Sequence, residues 1–546
     1  MTAEQQYLEL GERLLTEGTW VGNERTGKRC LTIINADMTY DVGGKEFTML
    51  STKQCFWKSA VAEIVGYLRG YTSAKDFREL GTKTWDMNAN KTQAWLDNPL
   101  RKGTDDMGEV YRFREQGYYK DMTEQDVSKT EEPVDLKVFD TISPDYSVNT
   151  TGLVGKRYTS AQSGEFIVVK ELEKSRDKRI HYLSIQFLAT GYILKIQKSQ
   201  LRDLKVKDVY YPSVYGVGYL GVYEESKVSK SLKKTWVGML ERCYDKGTKC
   251  YNRYGGRGVK VCQRWHCFSN FLEDFEKIYN WELKTVFPKD YSLDKDWCFS
   301  SLYSKETCRW SSKKEQARNT KNVKTYRVTK EGSEFFVKGL FGLAELLNIT
   351  ESKAYDITRE LPFTYEGYEI SMDYTKSIAY VEEDQFKRIY AKLKLGIDDR
   401  GLIMDAWQPH LFEYGCLRPC MYSHHFSLLG DTLHLTSYQR SVDYPIGCPF
   451  NMLQCYFLLD VMAKITGHKA GKVFHKMVNV HIYEDQIPMF KEQLSRTPLT
   501  EAEGFNPKFE LPEDLTYEKL LTTFVPSDCT LTGYKHLGKI NFPFSE

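Results

Sequence analysis

Charge is distributed very unevenly along this 546-residue chain, although its net charge is only +2. Residues 151–330 contain 36 Lys and Arg against 19 Asp and Glu, a net charge of +17, whereas the rest of the chain carries 40 against 55, or −15. A sign asymmetry of this size indicates segments with different partners, and the basic segment is typical of a domain that contacts a polyanion. A basic face that only contacts solvent is the alternative.

Composition predicts folded domains throughout. The hydrophobic fraction is 41% and the aromatic fraction 14%, with 16 prolines, which excludes collagenous, mucin-like and wholly disordered chains. We find no uninterrupted apolar window of the ~18 residues that a membrane helix needs, and MTAEQQYLELGERLL predicts an amphipathic helix, not a signal peptide. The thirteen cysteines are not closely spaced as in a disulfide-rich domain, which predicts reduced thiols. We therefore expect a soluble cytoplasmic protein without a membrane partner.

The predicted secondary-structure pattern changes twice along the chain. The first part predicts an α/β domain, with a helix at the start, a strand in CLTIINADMTYDV and a helix from about Trp57 to Gly70. The last part has the same α/β pattern and includes the apolar helix NMLQCYFLLDVMAKIT. We predict a first part at 1–116, an insertion at 117–381 and a last part at 382–546. Within the insertion we predict a small β-rich module at 150–222, a Trp-, Cys- and Gly-rich module at 230–320 and a small helical DNA-binding-like unit at 322–370.

A cysteine in the last part has the features of a nucleophile. Cys420 follows a proline in LRPCMYSHHF, at the predicted end of a strand, where a nearby cation would favour its thiolate. Arg440 in SYQRSVDYPIGCPFN is a candidate for that cation, and with Arg25 and Arg400 it would form a clamp for a phosphate dianion. The alternative is that Cys420 is a buried small apolar residue.

The two outer parts contain many separate motifs. They are, in order, YLELGERLLTEGT, ERTGK, STKQCFWKSAVAEIVGYLRGYT, TKTWD and MGEVY, then DDRG, LRPC, YQRSVDYPIGCPFN, HIYEDQ and TGYKHLGKINFPFSE. Together these motifs resemble thymidylate synthase. The resemblance implies an α/β (α+β) fold with a large mixed β-sheet and flanking helices, and a homodimer. It also implies that Cys420 adds to C6 of dUMP, that methylenetetrahydrofolate is the co-substrate, and that dTMP and dihydrofolate are the products.

The resemblance assigns roles to individual residues. It implies that Asn451 bonds the uracil edge, that Glu63 organises protons near O4, and that Tyr111 helps to remove the C5 proton. Arg400 would act across the dimer. The full set is Cys420, Glu63, Tyr111, Asn451 and Arg440 for catalysis; Arg25, Arg400, Arg440, Ser441, Asn451, His481 and Tyr483 for dUMP; and Trp85, Asp443 and Gly447 for the folate.

Three positions depart from the family pattern. Met421 stands where many members have His, Gly401 where many have a second phosphate arginine, and Asn88 where a second Trp is common. These changes leave two alternatives open. A dUMP hydroxymethylase would use the same Cys420 addition and let water capture the methylene. A homing-endonuclease-like DNA-binding protein in a degenerate synthase host would place the function in the insertion.

The insertion interrupts the family pattern after GEVYRFRE, at what is a loop in relatives, where a long insertion is tolerated. It lacks the junction residues of a self-splicing intein, so we expect it to remain in the mature chain. Within it, SLKKTWVGMLERCY, YNRYGGRGVKVCQRWHCFSNFLEDF and YSLDKDWC resemble phage-type HNH endonucleases. The phage-like insert is associated with a viral or bacterial host.

The HNH resemblance predicts DNA binding more firmly than cleavage. Where relatives have a histidine base, this chain has Lys295 after Asp294, and lysine is a poor base at neutral pH. Asp294 and Asn319 are the candidate ligands of a divalent metal. The cysteines of the insertion could bind a structural zinc or could be buried thiols. The absence of a paired CxxC motif favours buried thiols. The predicted contacts to the DNA backbone are Arg253, Arg257, Arg264, Lys313, Lys314 and Arg318.

Overall fold

The computed structural model describes residues 1–23, 27–111, 113–114, 116–121, 152–172, 180–320, 323–373, 376 and 378–544. The chain divides into two compact units. One combines Met1–Gly117 with Glu382–Glu546, and the other is Tyr118–Val381. The strands on which the chain passes from one unit to the other, Gln116–Asp121 and Ile378–Glu383, form a two-stranded sheet.

The first unit is built on a six-stranded mixed sheet. Its strands lie in the order Thr19–Asn23, Lys28–Asp41, Lys469–Tyr483, Thr432–Asp443, Met421–Leu429 and Ile403–Asp405. Neighbouring strands are antiparallel except for Thr432–Asp443 and Lys469–Tyr483, which are parallel. The large mixed sheet with flanking helices confirms the predicted α/β fold class.

One face of this sheet is covered by the helix Tyr444–Thr466, which packs on the two parallel strands and on the helix Trp57–Arg69. Trp57–Arg69 ends at Gly70, whose φ of 72° terminates it, and its apolar stripe is buried as predicted. The N-terminal helix Ala3–Glu17 begins with a capping box between Thr2 and Gln5. Further elements are the helices Ala74–Leu80, Asp86–Asn90, Gln93–Leu96, Gln385–Lys394, Ile487–Ser495 and Tyr517–Thr522, and the strand pair Lys508–Glu510 and Thr530–Thr532.

The helix Tyr444–Thr466 alone, among the described residues, has the length and apolar character of a membrane span, and 78% of its most apolar window is buried inside the protein. The sequence analysis expected no such window because it required an uninterrupted apolar run, and Gln454 and Asp460 interrupt this one. A helix that is apolar on nearly every side is expected where sheet and helices enclose it.

The second unit begins with an antiparallel meander in the segment that the sequence analysis interpreted as β-rich. Its strands are Arg157–Ser160, Gly164–Glu171, Tyr182–Phe187 and Ile193–Gln197. Phe166, Val168, Leu183, Ile185 and Phe187 form most of a small core between this sheet and the residues that follow it. The alternation of buried and exposed residues along Gly164–Glu171 is what a half-buried strand requires.

The middle of the second unit is a mixture of short elements. The longest is the helix Lys230–Tyr244, which buries Trp236 and Leu240. The others are the helices Phe268–Phe275, Trp281–Val286 and Lys313–Arg318, the antiparallel pair Tyr291–Asp294 and Arg309–Ser312, and the parallel pair Lys260–Val261 and Leu302–Tyr303.

The last module of the second unit contains more sheet than the sequence analysis expected. A four-stranded antiparallel sheet, ordered Ser333–Lys338, Thr325–Lys330, Tyr368–Asp373 and Phe363–Tyr365, packs with the helices Gly339–Leu347 and Glu351–Thr358. Both helices predicted for this module are present, and the DNA-binding-like unit stays a prediction. A three-residue strand such as Phe363–Tyr365 is too short to give an alternation pattern.

Candidate functional site

Cys420 lies immediately before the strand Met421–Leu429, partly exposed, and Arg440 on the neighbouring strand lies beside it. The guanidinium Nη2 of Arg440 is 3.8 Å from Cys420 Sγ. Arg440 is held in place because its Nε donates to the carbonyl of Pro419 at 3.0 Å and its Nη2 to the carbonyl of Arg418 at 3.0 Å. The structure thus fixes a cation next to a thiol, which favours the thiolate.

Tyr111 contacts the backbone of Cys420 and Met421. The N–H of Cys420 donates to Tyr111 Oη at 3.0 Å, and the N–H of Met421 donates to it at 3.4 Å. The Tyr111 ring stacks on Tyr67 with a centroid distance of 4.1 Å and meets Trp85 edge-on at 6.1 Å. Burial raises the pKa of Tyr111, and so does the nearby Cys420, so the phenol stays protonated at neutral pH.

A line of three polar side chains joins Asn451 to Glu63. Asn451 and Gln454 lie one turn apart on the helix Tyr444–Thr466, and Asn451 Nδ2 donates to Gln454 Oε1 at 3.0 Å. Gln454 Nε2 donates to Glu63 Oε2 at 2.5 Å. On the other side, Gln439 Nε2 donates to Asn451 Oδ1 at 2.8 Å. Two of the predicted site residues are therefore linked through a residue that was not predicted.

Glu63 lies in a desolvated part of the site. Burial raises the pKa of Glu63, while the nearby polar groups of Thr84, Gln454, Tyr67 and Trp85 lower it in part. A buried carboxyl group with a raised pKa retains its proton more readily than an exposed one, which suits an acid–base residue.

The residues predicted to bind the ribose and phosphate lie on adjacent strands. Ser441 and Asp443 are on Thr432–Asp443, and His481 and Tyr483 end the parallel neighbour, where His481 pairs with Asp443. His481 Nδ1 lies 2.9 Å from Asn479 Oδ1. Arg400 is exposed in the turn before Ile403–Asp405. Arg25 lies outside the described residues.

The residues predicted to hold the folate include a carboxylate oxygen that lacks a partner. Asp443 Oδ2 accepts from Gln486 Nε2 at 3.0 Å, whereas Asp443 Oδ1 is buried with no hydrogen-bond partner among the residues that the structure describes. Burial raises the pKa of Asp443 to about 6. Trp85 is 5% exposed, and Gly447 lies in the first turn of the helix Tyr444–Thr466. A buried acceptor without a partner fits a ligand that has an N–H donor.

The three departures from the family pattern have different surroundings. Met421 is buried, with its Sδ 3.7 Å from Cys455 Sγ, so its side chain supplies no hydrogen-bond donor to the site. Gly401 and Arg400 share an exposed turn, and Gly401 N donates to Asp399 Oδ1 at 2.8 Å. Asn88 is partly buried in the helix Asp86–Asn90.

The insertion's predicted DNA contacts are in two different situations. Arg253, Arg257 and Lys313 are exposed, and Lys314 is partly exposed. In contrast, Arg264 is paired with Asp274 and Glu273, each at 2.8 Å, and Arg318 lies between the rings of Phe341 and Tyr380. Arg264 and Arg318 are therefore engaged within the protein.

The residues predicted to hold a divalent metal are not arranged as a cluster. The Asn319 amide is saturated by Tyr380, because its Nδ2 donates to the Tyr380 carbonyl and its Oδ1 accepts from the Tyr380 N–H, both at 2.8 Å. Asp294 Oδ1 accepts from Asp296 N at 2.8 Å, and Lys295 pairs with Asp296. Within the part of the chain that the structure describes, no three or more His, Cys, Asp or Glu residues form a group that could hold a metal. These side chains do not fit a metal site, and we derive no reaction step from one.

Sequence reasoning missed Gln439, Gln454 and Lys53. Gln454 could have been found, because its spacing of three residues from Asn451 places both on one helix face. Lys53 is buried and donates from its Nζ to the carbonyl of Pro445. No sequence pattern signals that contact, since the two residues are 392 positions apart.

Comparison with known proteins identifies the family. A sequence model of thymidylate synthase matches residues 5–144 and 305–546. The thymidylate synthase of Aliivibrio fischeri is 30% identical over 543 residues, which is 99% of each chain. Those of Vibrio vulnificus and Shewanella loihica are 29% and 28% identical over the same length and share of each chain. Because the model matches more than half of the chain, including Glu63, Cys420 and Asn451, this chain belongs to the thymidylate synthase family.

Proposed function

We propose that this chain catalyses the reductive methylation of dUMP to dTMP through a covalent adduct of Cys420. The observation that carries the proposal is the fixed Arg440 guanidinium 3.8 Å from the Cys420 thiol. Arg440 satisfies the carbonyls of Pro419 and Arg418 from the same side chain, so the cation does not have to be ordered when the substrate binds. Such preorganisation activates a nucleophile before the substrate arrives.

In the proposed reaction Cys420 Sγ forms a bond to C6 of the pyrimidine, and the electron pair of the C5–C6 bond moves toward O4. Asn451 would bond N3 and O4, and Glu63 would exchange the proton at O4. Tyr111 Oη already accepts from two backbone N–H groups, so its own hydrogen is free to bond and orient a water molecule beside C5, and that water would accept the C5 proton. C5 then bonds to the one-carbon unit and loses its proton, and the bond from that carbon to the folate nitrogen breaks. A hydride from the folate completes the methyl group as the Sγ–C6 bond breaks, which releases dTMP and the Cys420 thiolate.

Methylenetetrahydrofolate, when bound, supplies the one-carbon unit and the hydride. We propose that Asp443 Oδ1, buried and without a partner among the described residues, accepts from its ring, and that Trp85 and Gly447 line the same subsite. The phosphate and ribose of dUMP would contact Arg440, Ser441, His481 and Tyr483. Arg25 and Arg400 stay predictions as further phosphate ligands.

A homodimer is supported by the uncovered face of the large sheet. The face opposite the helix Tyr444–Thr466 exposes apolar side chains on neighbouring strands, including Tyr438, Phe474 and Val478. An apolar patch of this kind is typical of a subunit interface. Analytical ultracentrifugation of the purified chain tests the dimer. All thirteen cysteines are free thiols, which supports a reducing compartment such as a viral or bacterial host cytoplasm.

For the insertion we propose nucleic-acid binding without cleavage. The +17 charge of residues 151–330 and the exposed Arg253, Arg257 and Lys313 support it. A cavity of about 320 Å³ is lined by Lys234, Arg242 and Lys295 together with Asp294 and Asp296. Cleavage is not proposed because Lys295 is buried and paired with Asp296, so it is unsuited to act as a base.

The first experiment is turnover of dUMP with methylenetetrahydrofolate, followed by dihydrofolate absorbance and by mass spectrometry of the nucleotide. We expect dTMP and dihydrofolate in equal amounts, and no product with Cys420→Ala. Cys448→Ala is the matched control, because Cys448 is a buried thiol on the same helix as Asn451.

Two other results would replace the proposal. Hydroxymethyl-dUMP without dihydrofolate would select the hydroxymethylase, which the apolar Met421 beside the nucleophile favours as second candidate. Absence of turnover in the unaltered protein would move the function to the basic insertion.

A further inference from the structure

Gln454 lies between the two residues proposed to act on the O4 side of the pyrimidine. Its Oε1 accepts from Asn451 Nδ2 at 3.0 Å, and its Nε2 donates to Glu63 Oε2 at 2.5 Å. The side chain is only 3% exposed, so both of its polar ends depend on these protein partners. Both hydrogen-bond partners of Gln454 are proposed functional residues, which a role in filling core volume would not require.

The direction of the Gln454 amide is set by a chain of hydrogen bonds that begins at a backbone carbonyl. Gln439 Nε2 donates to the carbonyl of Ser441 at 3.1 Å, and because a carbonyl can only accept, this identifies the nitrogen end of the Gln439 amide. The second N–H of Gln439 then donates to Asn451 Oδ1, which leaves Asn451 Nδ2 as donor to Gln454 Oε1. The remaining end of Gln454, its NH₂ group, therefore faces Glu63.

The other end of the chain agrees with this direction. Gln439 Oε1 lies 2.8 Å from His475 Nε2, and His475 Nδ1 lies 2.9 Å from Tyr40 Oη. Burial lowers the pKa of His475 to about 4, so the imidazole is neutral at pH 7 and carries one ring hydrogen. With one ring hydrogen, an Nε2–H can donate to Gln439 Oε1 and leave Nδ1 as the acceptor toward Tyr40 Oη.

The Gln454 amide is a close hydrogen-bond donor to the Glu63 carboxylate, at 2.5 Å. Met421 next to the nucleophile is apolar and buried, so the donor from Gln454 is not duplicated from that position. Two titratable groups face Glu63, Tyr67 on its own helix and Tyr111, and burial raises the pKa of both phenols, so both are neutral at pH 7. The Gln454 amide thus fixes the Glu63 carboxylate as a neutral donor, and the phenols of Tyr67 and Tyr111 beside that carboxylate are neutral too.

We propose that Gln454 is a positioning residue, which holds the Glu63 carboxylate in register with the Asn451 amide, so that recognition of the pyrimidine edge and proton exchange at O4 are set by one rigid unit. The inference rests on the proposed synthase function and adds a residue to it. It predicts that loss of Gln454 affects the chemical step more than nucleotide binding, because the carboxylate and not the phosphate or ribose contacts would move.

The test compares Gln454→Leu and Gln454→Glu with the unaltered full chain. Leucine removes both polar ends, whereas glutamate keeps the acceptor for Asn451 and replaces only the donor to Glu63. Gln493→Leu is the matched control, because Gln493 is equally buried but donates to Thr52, away from Glu63. For both Gln454 variants we expect kcat to fall about tenfold to a hundredfold, with the dUMP KM changed less than about threefold.

The pH profile of kcat provides a readout that a purely structural role would not move. The hydrogen bond from Gln454 lowers the pKa of Glu63, so its loss should move the transition that reports Glu63 to higher pH. Glu63→Gln should abolish that transition and so identifies it. Gln454→Glu should move it further than Gln454→Leu, because a second carboxyl group disfavours ionisation of the first.

The outcomes separate this inference from the proposed function. If the unaltered protein forms dTMP while Gln454→Leu and Gln454→Glu keep its kcat and pH profile, the positioning role is wrong and the synthase proposal stands. An equal loss in Gln493→Leu, with a matching drop in melting temperature, would also overturn it, since the effect would then be one of stability. Without turnover in the unaltered protein, both proposals fail together.

Discussion

At the scale of single residues, Asp443 combines a satisfied and an unsatisfied carboxylate oxygen. Burial raises its pKa to about 6, so the group is largely ionised at pH 8 and largely protonated at pH 5. An ionised Asp443 accepts an N–H from the folate, and protonation weakens that acceptor. We therefore expect the KM for methylenetetrahydrofolate to rise as pH falls through about 6. Asp443→Asn should show a high KM that does not change with pH, and a flat profile in the unaltered protein would contradict the assignment.

At the scale of elements, the helix Tyr444–Thr466 contains a proline that frees a buried carbonyl. Pro449 has no N–H to bond the carbonyl of Pro445, and Lys53 Nζ donates to it instead. Lys53→Met should cost about 1–3 kcal/mol, because the carbonyl loses its donor. In a Pro449→Ala background the restored N–H can replace Lys53, so the same substitution should cost less. Thermal melting of the four proteins measures this coupling, and equal costs in both backgrounds would refute it.

At the scale of the whole molecule, the two segments of the synthase unit form one compact body, and the strands Gln116–Asp121 and Ile378–Glu383 that lead into the insertion pair with each other. Paired strands lie about 5 Å apart, so a short linker can join them. We expect replacement of residues 122–377 by a Gly-Ser turn to keep dTMP formation within about threefold.

The same shortened protein should lose retention on a double-stranded DNA column at low salt, because it lacks the basic segment. An intact chain that also passes through the column would contradict nucleic-acid binding. Loss of dTMP formation on shortening, with the fold retained, would show that the insertion contributes to the synthase reaction.

Local patterns predicted the elements that are long and periodic. The helix Trp57–Arg69 and the strand Lys28–Asp41 follow from an apolar stripe and from alternation, since burial of one face selects such patterns. The strands Phe363–Tyr365 and Tyr368–Asp373 did not, because their pairing depends on a turn at Glu366 and Gly367, both with positive φ. The site residues within motifs, such as Cys420 and Asn451, were predictable from resemblance alone.

The sequence by itself determined the family and the basic character of the insertion, and it predicted Cys420 as the nucleophile, because thiol chemistry and charge belong to residue types and not to the fold. Only the tertiary structure decided which polar groups meet. Glu63 and Gln454 are 391 positions apart and become partners because two helices pack in the first unit. It also showed that Arg264 and Arg318 are engaged within the protein. Contacts of this kind depend on distances in space, which a linear order of residues does not contain.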